Sequence, residues 1–204
     1  MTQYVLLGAG LDTFAHRNPY PQLRVIEVDH PATQGWKREL LRNAGLPCPA
    51  RLTYASVDFE RQLLATQLVA SVFDRTVPSF FAWLGVVPYL SREAFRRTID
   101  FIAVQPSGSG VIFDYCQPRA ALAPNEQLAR DSLAARLQLA GEDFRSFFTR
   151  DEIATELSGF SSIEDLDSEQ INARYFTNRT DTLQLRGTAT RFVCTWRCTS
   201  EPRV

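Results

Sequence analysis

The chain has no surplus of either charge: 22 Lys+Arg stand against 23 Asp+Glu over 204 residues, a formal net charge of −1. Nothing in that balance would draw it onto nucleic acid or an anionic membrane, so neither is an expected partner. The one sizeable positive cluster, Arg92, Arg96 and Arg97, reads as the solvated face of a helix. Long apolar runs are also missing. None approaches the ~20 residues that a membrane-spanning helix needs, and no secretory leader is expected before the first strand. Cysteine is sparse: Cys48, Cys116, Cys194 and Cys198 are scattered without a C-x-x-C pair, and His16 and His30 share no ligand spacing. No metal is therefore expected, and a reduced, cytoplasmic protein is the simplest reading.

What is present is ordinary globular composition, 45% hydrophobic and 22% charged, in a length suited to one domain spanning 1–204. Apolar runs alternate with helix-like segments, the pattern of a parallel sheet covered on both faces. Strands are predicted at Tyr4–Leu7, Arg24–Asp29, Leu52–Val57, Ser79–Gly85, Val111–Tyr115, Ser162–Leu166 and Arg191–Cys198. Helices are predicted from Leu11 to Arg17, from Pro31 to Gly45 with Trp36, Leu40 and Leu41 as its apolar face, and from Glu60 to Leu68. Others begin at the N-cap Ser91 (with Phe95, Ile99 and Ile102 on one side), run from Pro124 to Leu139, and follow the Thr149/Glu152 capping box as far as Gly159. The aromatic segment Gly141–Phe148 is expected to pack as a lid or crossover. The fold class is α/β, a doubly wound, mostly parallel seven-stranded sheet with helices on both faces.

Ligands of such sheets bind at the carboxyl ends of the strands, near the point where strand order reverses. Three predicted strands end there in binding-type residues: Gly8-Ala9-Gly10-Leu11-Asp12, then Glu27-Val28-Asp29, then Asp58-Phe59. Each has a plainer reading, as a tight turn, a helix cap or a core aromatic; their convergence is what marks a site. A dinucleotide fingerprint needs a third small residue, where this chain has Thr13, and Asp12 would set a carboxylate beside a diphosphate. S-adenosylmethionine carries no phosphate, and its sulfonium and ammonium suit acidic neighbours. Asp29 could accept from both ribose hydroxyls and Asp58 from the adenine amino group, with Phe59 beside the base.

Taken together, Gly8-Ala9-Gly10-Leu11-Asp12-Thr13, Glu27-Val28-Asp29-His30-Pro31 and Val57-Asp58-Phe59-Glu60 resemble the leucine carboxyl methyltransferase family, in its bacterial branch. The resemblance continues through Trp83-Leu84-Gly85-Val86-Val87-Pro88-Tyr89-Leu90, Phe113-Asp114-Tyr115 and Arg174-Tyr175-Phe176 with Arg179. It implies a class I, Rossmann-like methyltransferase fold. S-adenosyl-L-methionine would be the cofactor, contacted by Gly8, Ala9, Gly10, Leu11, Asp12, Glu27, Asp29, Asp58 and Phe59. The expected reaction is O-methylation of a carboxylate or hydroxyl on a small molecule, with Tyr89, Tyr115 and Arg174 as acceptor-pocket candidates and no catalytic residue assigned. The family usually carries a sizeable region before the glycine motif, which here begins after Tyr4-Val5-Leu6-Leu7. An alternative expectation follows: a truncated methyltransferase-like domain with weak or no catalysis, acting through cofactor or protein contacts and open to homo-oligomerisation.

Overall fold

A computed structural model describes residues 2–197. Among these residues the strands are β1 (Gln3–Leu7), β2 (Arg24–Asp29), β3 (Leu52–Ser56), β4 (Ser79–Trp83), β5 (Gly110–Cys116), β6 (Ser162–Leu166) and β7 (Thr190–Trp196). The helices are α1 (Phe14–Arg17), α2 (Pro31–Asn43), α3 (Leu64–Val69), α4 (Arg92–Ala103), α5 (Pro124–Leu139), α6 (Arg150–Glu156) and α7 (Ser168–Tyr175). The strands form one sheet in the order β3-β2-β1-β4-β5-β7-β6. β1 through β5 are mutually parallel, and β7 runs antiparallel to both β5 and β6. The chain winds outward from β1 to β3, then returns to lay β4 on the other side of β1. The crevice beyond β1 and β4 is therefore the switch point, where an open α/β sheet offers space for a ligand.

Strand alternation sorts side chains between two faces. On one face Val5, Leu7, Ile26, Val28, Phe81, Trp83, Val111, Phe113 and Val193 meet Leu64 and Leu68 of α3, Phe95, Ile99 and Ile102 of α4, and Ile153 of α6 in one continuous core. The other face is thinner. Leu6, Val25, Leu52 and Ala82 form a small cluster near α1 with Ala15, while Tyr4, Phe80 and Ile112 stay half-buried and Trp196 is exposed.

Helix α2 departs from the expected pattern. Trp36 and Leu40 are 54% and 43% exposed, and the buried residues are Gln34 and Lys37. The polar groups go inside because the sheet supplies partners. The Gln34 amide donates to the carbonyls of Glu27 (3.2 Å) and Ala55 (3.4 Å) and accepts from Ser56 Oγ (2.7 Å). Lys37 Nζ lies 2.6 Å from Glu27 Oε2, both side chains almost wholly buried.

Other differences are local. α1 shrinks to one turn because the Asp12 carboxylate accepts from the Phe14 amide at 2.5 Å, which places Leu11 and Asp12 in the turn before it. α3 starts late because Asp58 first accepts from the Glu60 amide at 3.0 Å. The Arg92/Arg96/Arg97 cluster is not merely solvated. Arg92 pairs with Glu152 and Arg96 with Glu156, joining α4 to α6, and Arg97 donates to the carbonyls of Phe59 and Glu60. Helix α7 was not anticipated, although Asp167 and Gln170 form a capping box at its start. Cys48, Cys116 and Cys194 are free thiols, and Cys198 lies outside the described residues. No helix among the described residues is long and apolar enough to cross a membrane.

Candidate active site

The glycine turn forms because β1 must turn sharply away once it reaches its carboxyl end. Gly8 has φ +70° and Gly10 φ +46°, conformations that side chains resist. Gly8 faces a steric demand as well: a Cβ there would lie 2.3 Å from Val86 Cγ2. Three of the turn's amides are committed internally. The Gly8 and Ala9 N–H groups both donate to the Val28 carbonyl (2.8 and 3.1 Å), and the Gly10 N–H donates to Asp29 Oδ2 at 2.5 Å. Asp29 Oδ1 accepts from the His30 amide at 2.6 Å. A pyrophosphate cradle requires free amides at this turn. Here the donors are used to hold β1's turn against β2, leaving the Asp29 carboxylate beside open space.

That space is a cavity of about 610 Å³, within the range of small-molecule sites. Five of the sequence-predicted cofactor residues line it: Gly8, Gly10, Asp29, Asp58 and Phe59. So does Tyr89, one of the three predicted acceptor residues. The rest of the wall includes Glu60, Gly85, Val86 and Leu90 with Gly141, Glu142, Asp143 and Arg145. Carboxylates predominate in the lining: Asp29, Asp58, Glu60, Glu142 and Asp143 against His30 and Arg145, and Arg145 is itself 3.7 Å from Glu60. A separate groove of about 690 Å³ beside the C-terminal half of α2, lined by His16, Arg38, Leu46, Cys48 and Tyr54, contains none of the glycine-turn residues.

The structure does not bring every predicted residue to the cavity. Ala9 is buried, Leu11 points to solvent, and the Asp12 carboxylate accepts from the Phe14 amide in the turn before α1. Glu27 belongs to the buried pair with Lys37; burial pushes its carboxyl pKa up, against the pull of the Lys37 hydrogen bond. Tyr115 is fully buried in the core face, its hydroxyl donating to Asp165 Oδ2 at 2.9 Å. Burial and Asp165 both push its pKa up. Arg174 lies on α7, where it makes a two-pronged pair with Glu164 at 2.7 and 2.8 Å, outside the cavity lining.

The wall around Tyr89 comes from loops that sequence periodicity does not locate. Tyr89 packs at a tilt against Phe144 at a centroid distance of 5.4 Å, and burial raises its hydroxyl pKa. The Arg145 and Ser146 amides donate to the Pro88 carbonyl (2.7 and 3.2 Å), and Ser146 Oγ donates to the Val87 carbonyl at 2.8 Å. These bonds fasten the 141–146 segment beside the loop after β4. The segment expected to pack as a lid or crossover forms a wall, with Phe148 at its end anchored in the core.

A seven-stranded sheet in this order, with an antiparallel β7 and the cavity at its switch point, defines the class I methyltransferase fold. Residues 1–103 match the family model for leucine carboxyl methyltransferase, and the chain belongs to that family. It is 37% identical over 186 residues to YktD of Bacillus subtilis (strain 168), a candidate S-adenosyl-L-methionine-dependent methyltransferase; the match covers 89% of this chain and 61% of YktD. The chain therefore spans about three fifths of that relative. Among solved structures, a candidate methyltransferase from Thermobifida fusca YX superposes with a TM-score of 0.65 at 18% identity, covering 97% of this chain and 74% of its own. An O-methyltransferase family protein from Burkholderia thailandensis gives a TM-score of 0.59 at 14% identity, covering 98% and 52%. These two likenesses concern the fold.

Proposed function

We propose that this chain binds S-adenosyl-L-methionine at the β1–β4 crevice and transfers its methyl group to an oxygen, carboxylate or hydroxyl, of a small molecule. The observation that carries this reading is the glycine turn: the Gly8, Ala9 and Gly10 amides are spent on Val28 and Asp29, and the cavity beside them is lined mainly by carboxylates. A ligand with a sulfonium and an ammonium suits such walls, and a diphosphate does not. Asp29 would accept from the ribose hydroxyls, Asp58 from the adenine amino group, and Phe59 would pack on the base. Gly8 and Gly10 leave the backbone bare for the methionine end.

The cofactor would supply a methyl group already activated by positive sulfur. The protein's part is then alignment and exclusion of water. The cavity walls from Val86 to Leu90 and from Gly141 to Arg145 would hold the acceptor oxygen in line with that carbon. A carboxylate acceptor arrives deprotonated and needs no base; a hydroxyl acceptor must give up its proton. The name given to YktD supports methyl transfer from S-adenosyl-L-methionine.

Isothermal titration tests the reading. S-adenosylmethionine should bind and NAD should not. Asp29→Ala should weaken binding at least tenfold, as the loss of a charge-assisted hydrogen bond of about 1.5–3 kcal/mol requires. NAD binding without S-adenosylmethionine binding would overturn it.

A further inference from the structure

Two stretches singled out in the sequence, Trp83-Leu84-Gly85-Val86 and Phe113-Asp114-Tyr115, meet through one hydrogen bond. On β5, Phe113 and Tyr115 point into the core, and alternation turns Asp114 to the opposite face, where it is half-buried. Its Oδ1 accepts from the Gly85 amide at 2.5 Å. Gly85 has φ +71° with nothing within 4 Å of where a Cβ would sit. Its left-handed turn is thus not imposed by crowding, and the Asp114 carboxylate is the contact that holds its amide.

That turn places Val86, and Val86 places more. Its Cγ2 sits against Gly8, where even a Cβ would not fit. Its carbonyl accepts from the Tyr89 amide at 3.0 Å, opening the tight turn that carries Tyr89. Gly8, Gly85, Val86 and Tyr89 all line the cavity, while Asp114 stands outside the lining. Its one hydrogen bond to the cavity wall is the one from Gly85, and its charge also reaches Tyr89, whose hydroxyl pKa it helps to raise. Burial pushes its carboxyl pKa up and the Gly85 hydrogen bond pulls it back, so the bond favours the charged acceptor at a site where burial opposes it.

We propose that Asp114 is a positioning residue for the amino-acid end of the cofactor: by fixing the Gly85 amide it seats Val86 on Gly8 and shapes the wall where cavity and glycine turn meet. This rests on the cofactor reading above. The adenine end, at Asp58 and Phe59, is built from a different loop and lies outside Asp114's reach through this contact.

The test compares S-adenosylhomocysteine with adenosine, which lacks the amino-acid end, by isothermal titration on the full chain, with thermal melting as a check on folding. Asp114→Ala should weaken S-adenosylhomocysteine at least tenfold and leave adenosine within about twofold. Asp114→Asn, whose amide oxygen still accepts from Gly85, should stay within about threefold of the unaltered chain for both probes. If Asp114→Ala fails to fold, Gly85→Ala disturbs the same turn from its other side, through strain at a positive φ, and should show the same selective loss. Equal weakening of both probes, or unchanged S-adenosylhomocysteine binding, would overturn the proposal. So would an Asp114→Asn loss as large as that of Asp114→Ala, because charge and not the accepted hydrogen bond would then be at work. An unaltered chain that binds neither probe refutes the cofactor reading itself; the other outcomes refute only the role of Asp114.

Discussion

Glu27 and Asp29 alternate on one strand, and in the sequence both look like ligand contacts. The fold separates them. Asp29 sits at the strand end, facing the cavity and receiving the Gly10 amide, whereas Glu27 lies one pleat deeper, beneath α2, with Lys37 as its partner. A buried ion pair is costly to break because removing one partner strands the other charge. Lys37→Met should accordingly destabilise the protein by about 3–5 kcal/mol, read from urea unfolding. The double change Glu27→Gln with Lys37→Met should recover a large part of that loss. A single-variant cost under about 1 kcal/mol would mean that Glu27 finds water or another partner. The sequence offered both halves of this pair, but ten residues apart, at positions whose contact depends on how α2 lies across β2. For the same reason Tyr115 read as a pocket residue: the strand's identity was clear, but which of its faces met the cavity was not.

Helix α6 shows how far local signals carry. The Thr149-x-x-Glu152 pattern predicts its start, and both reciprocal capping bonds are present: the Thr149 side chain accepts from the Glu152 amide, and Glu152 accepts from the Thr149 amide. Glu152 has a second partner that no local pattern reveals, Arg92 at 2.8 Å on α4. Led by the Arg92 hydrogen bond, these contacts hold its pKa down at about 2, against an ordinary 4.5. A depressed carboxylate stabilises the fold above its unfolded pKa, and that contribution is lost as pH falls through the folded value. Glu152→Gln keeps the cap, since Gln also serves in a capping box, and removes only the ion pair. Because the pair is exposed, the cost at pH 7 should be about 0.5 kcal/mol. The stability gap between the two proteins should narrow as pH drops from 5 toward 3; a gap unchanged over that window would assign the effect to the cap. The same capping logic, applied to Asp167 and Gln170, would have found α7. Helix α2 was placed correctly but turned the wrong way, because its apolar residues were assumed to face inward while the sheet below it offered hydrogen-bond acceptors and a carboxylate.

At the scale of the whole molecule the sheet has one deep face and one thin one, and the three tryptophans report on them. Trp83 is 0% exposed, whereas Trp36 and Trp196 are 54% and 36% exposed. Iodide should therefore quench the fluorescence of Trp36 and Trp196 and spare that of Trp83, with Trp83→Phe leaving only quenchable emission. Resistance of all three would show that the outer side of α2 and the thin face are covered in solution. The sequence by itself determined the seven strands, the mixed α/β class, the glycine turn and the carboxylates at three successive strand ends, because each depends on local periodicity, backbone freedom or a cap. Only the tertiary structure decided the order β3-β2-β1-β4-β5-β7-β6, the commitment of the turn's amides to Val28 and Asp29, and the meeting of Asp114 with Gly85. Those depend on which strand lies beside which. The glycine turn belongs to both: its residues are legible in the sequence, and their hydrogen-bond partners are supplied by the neighbouring strand.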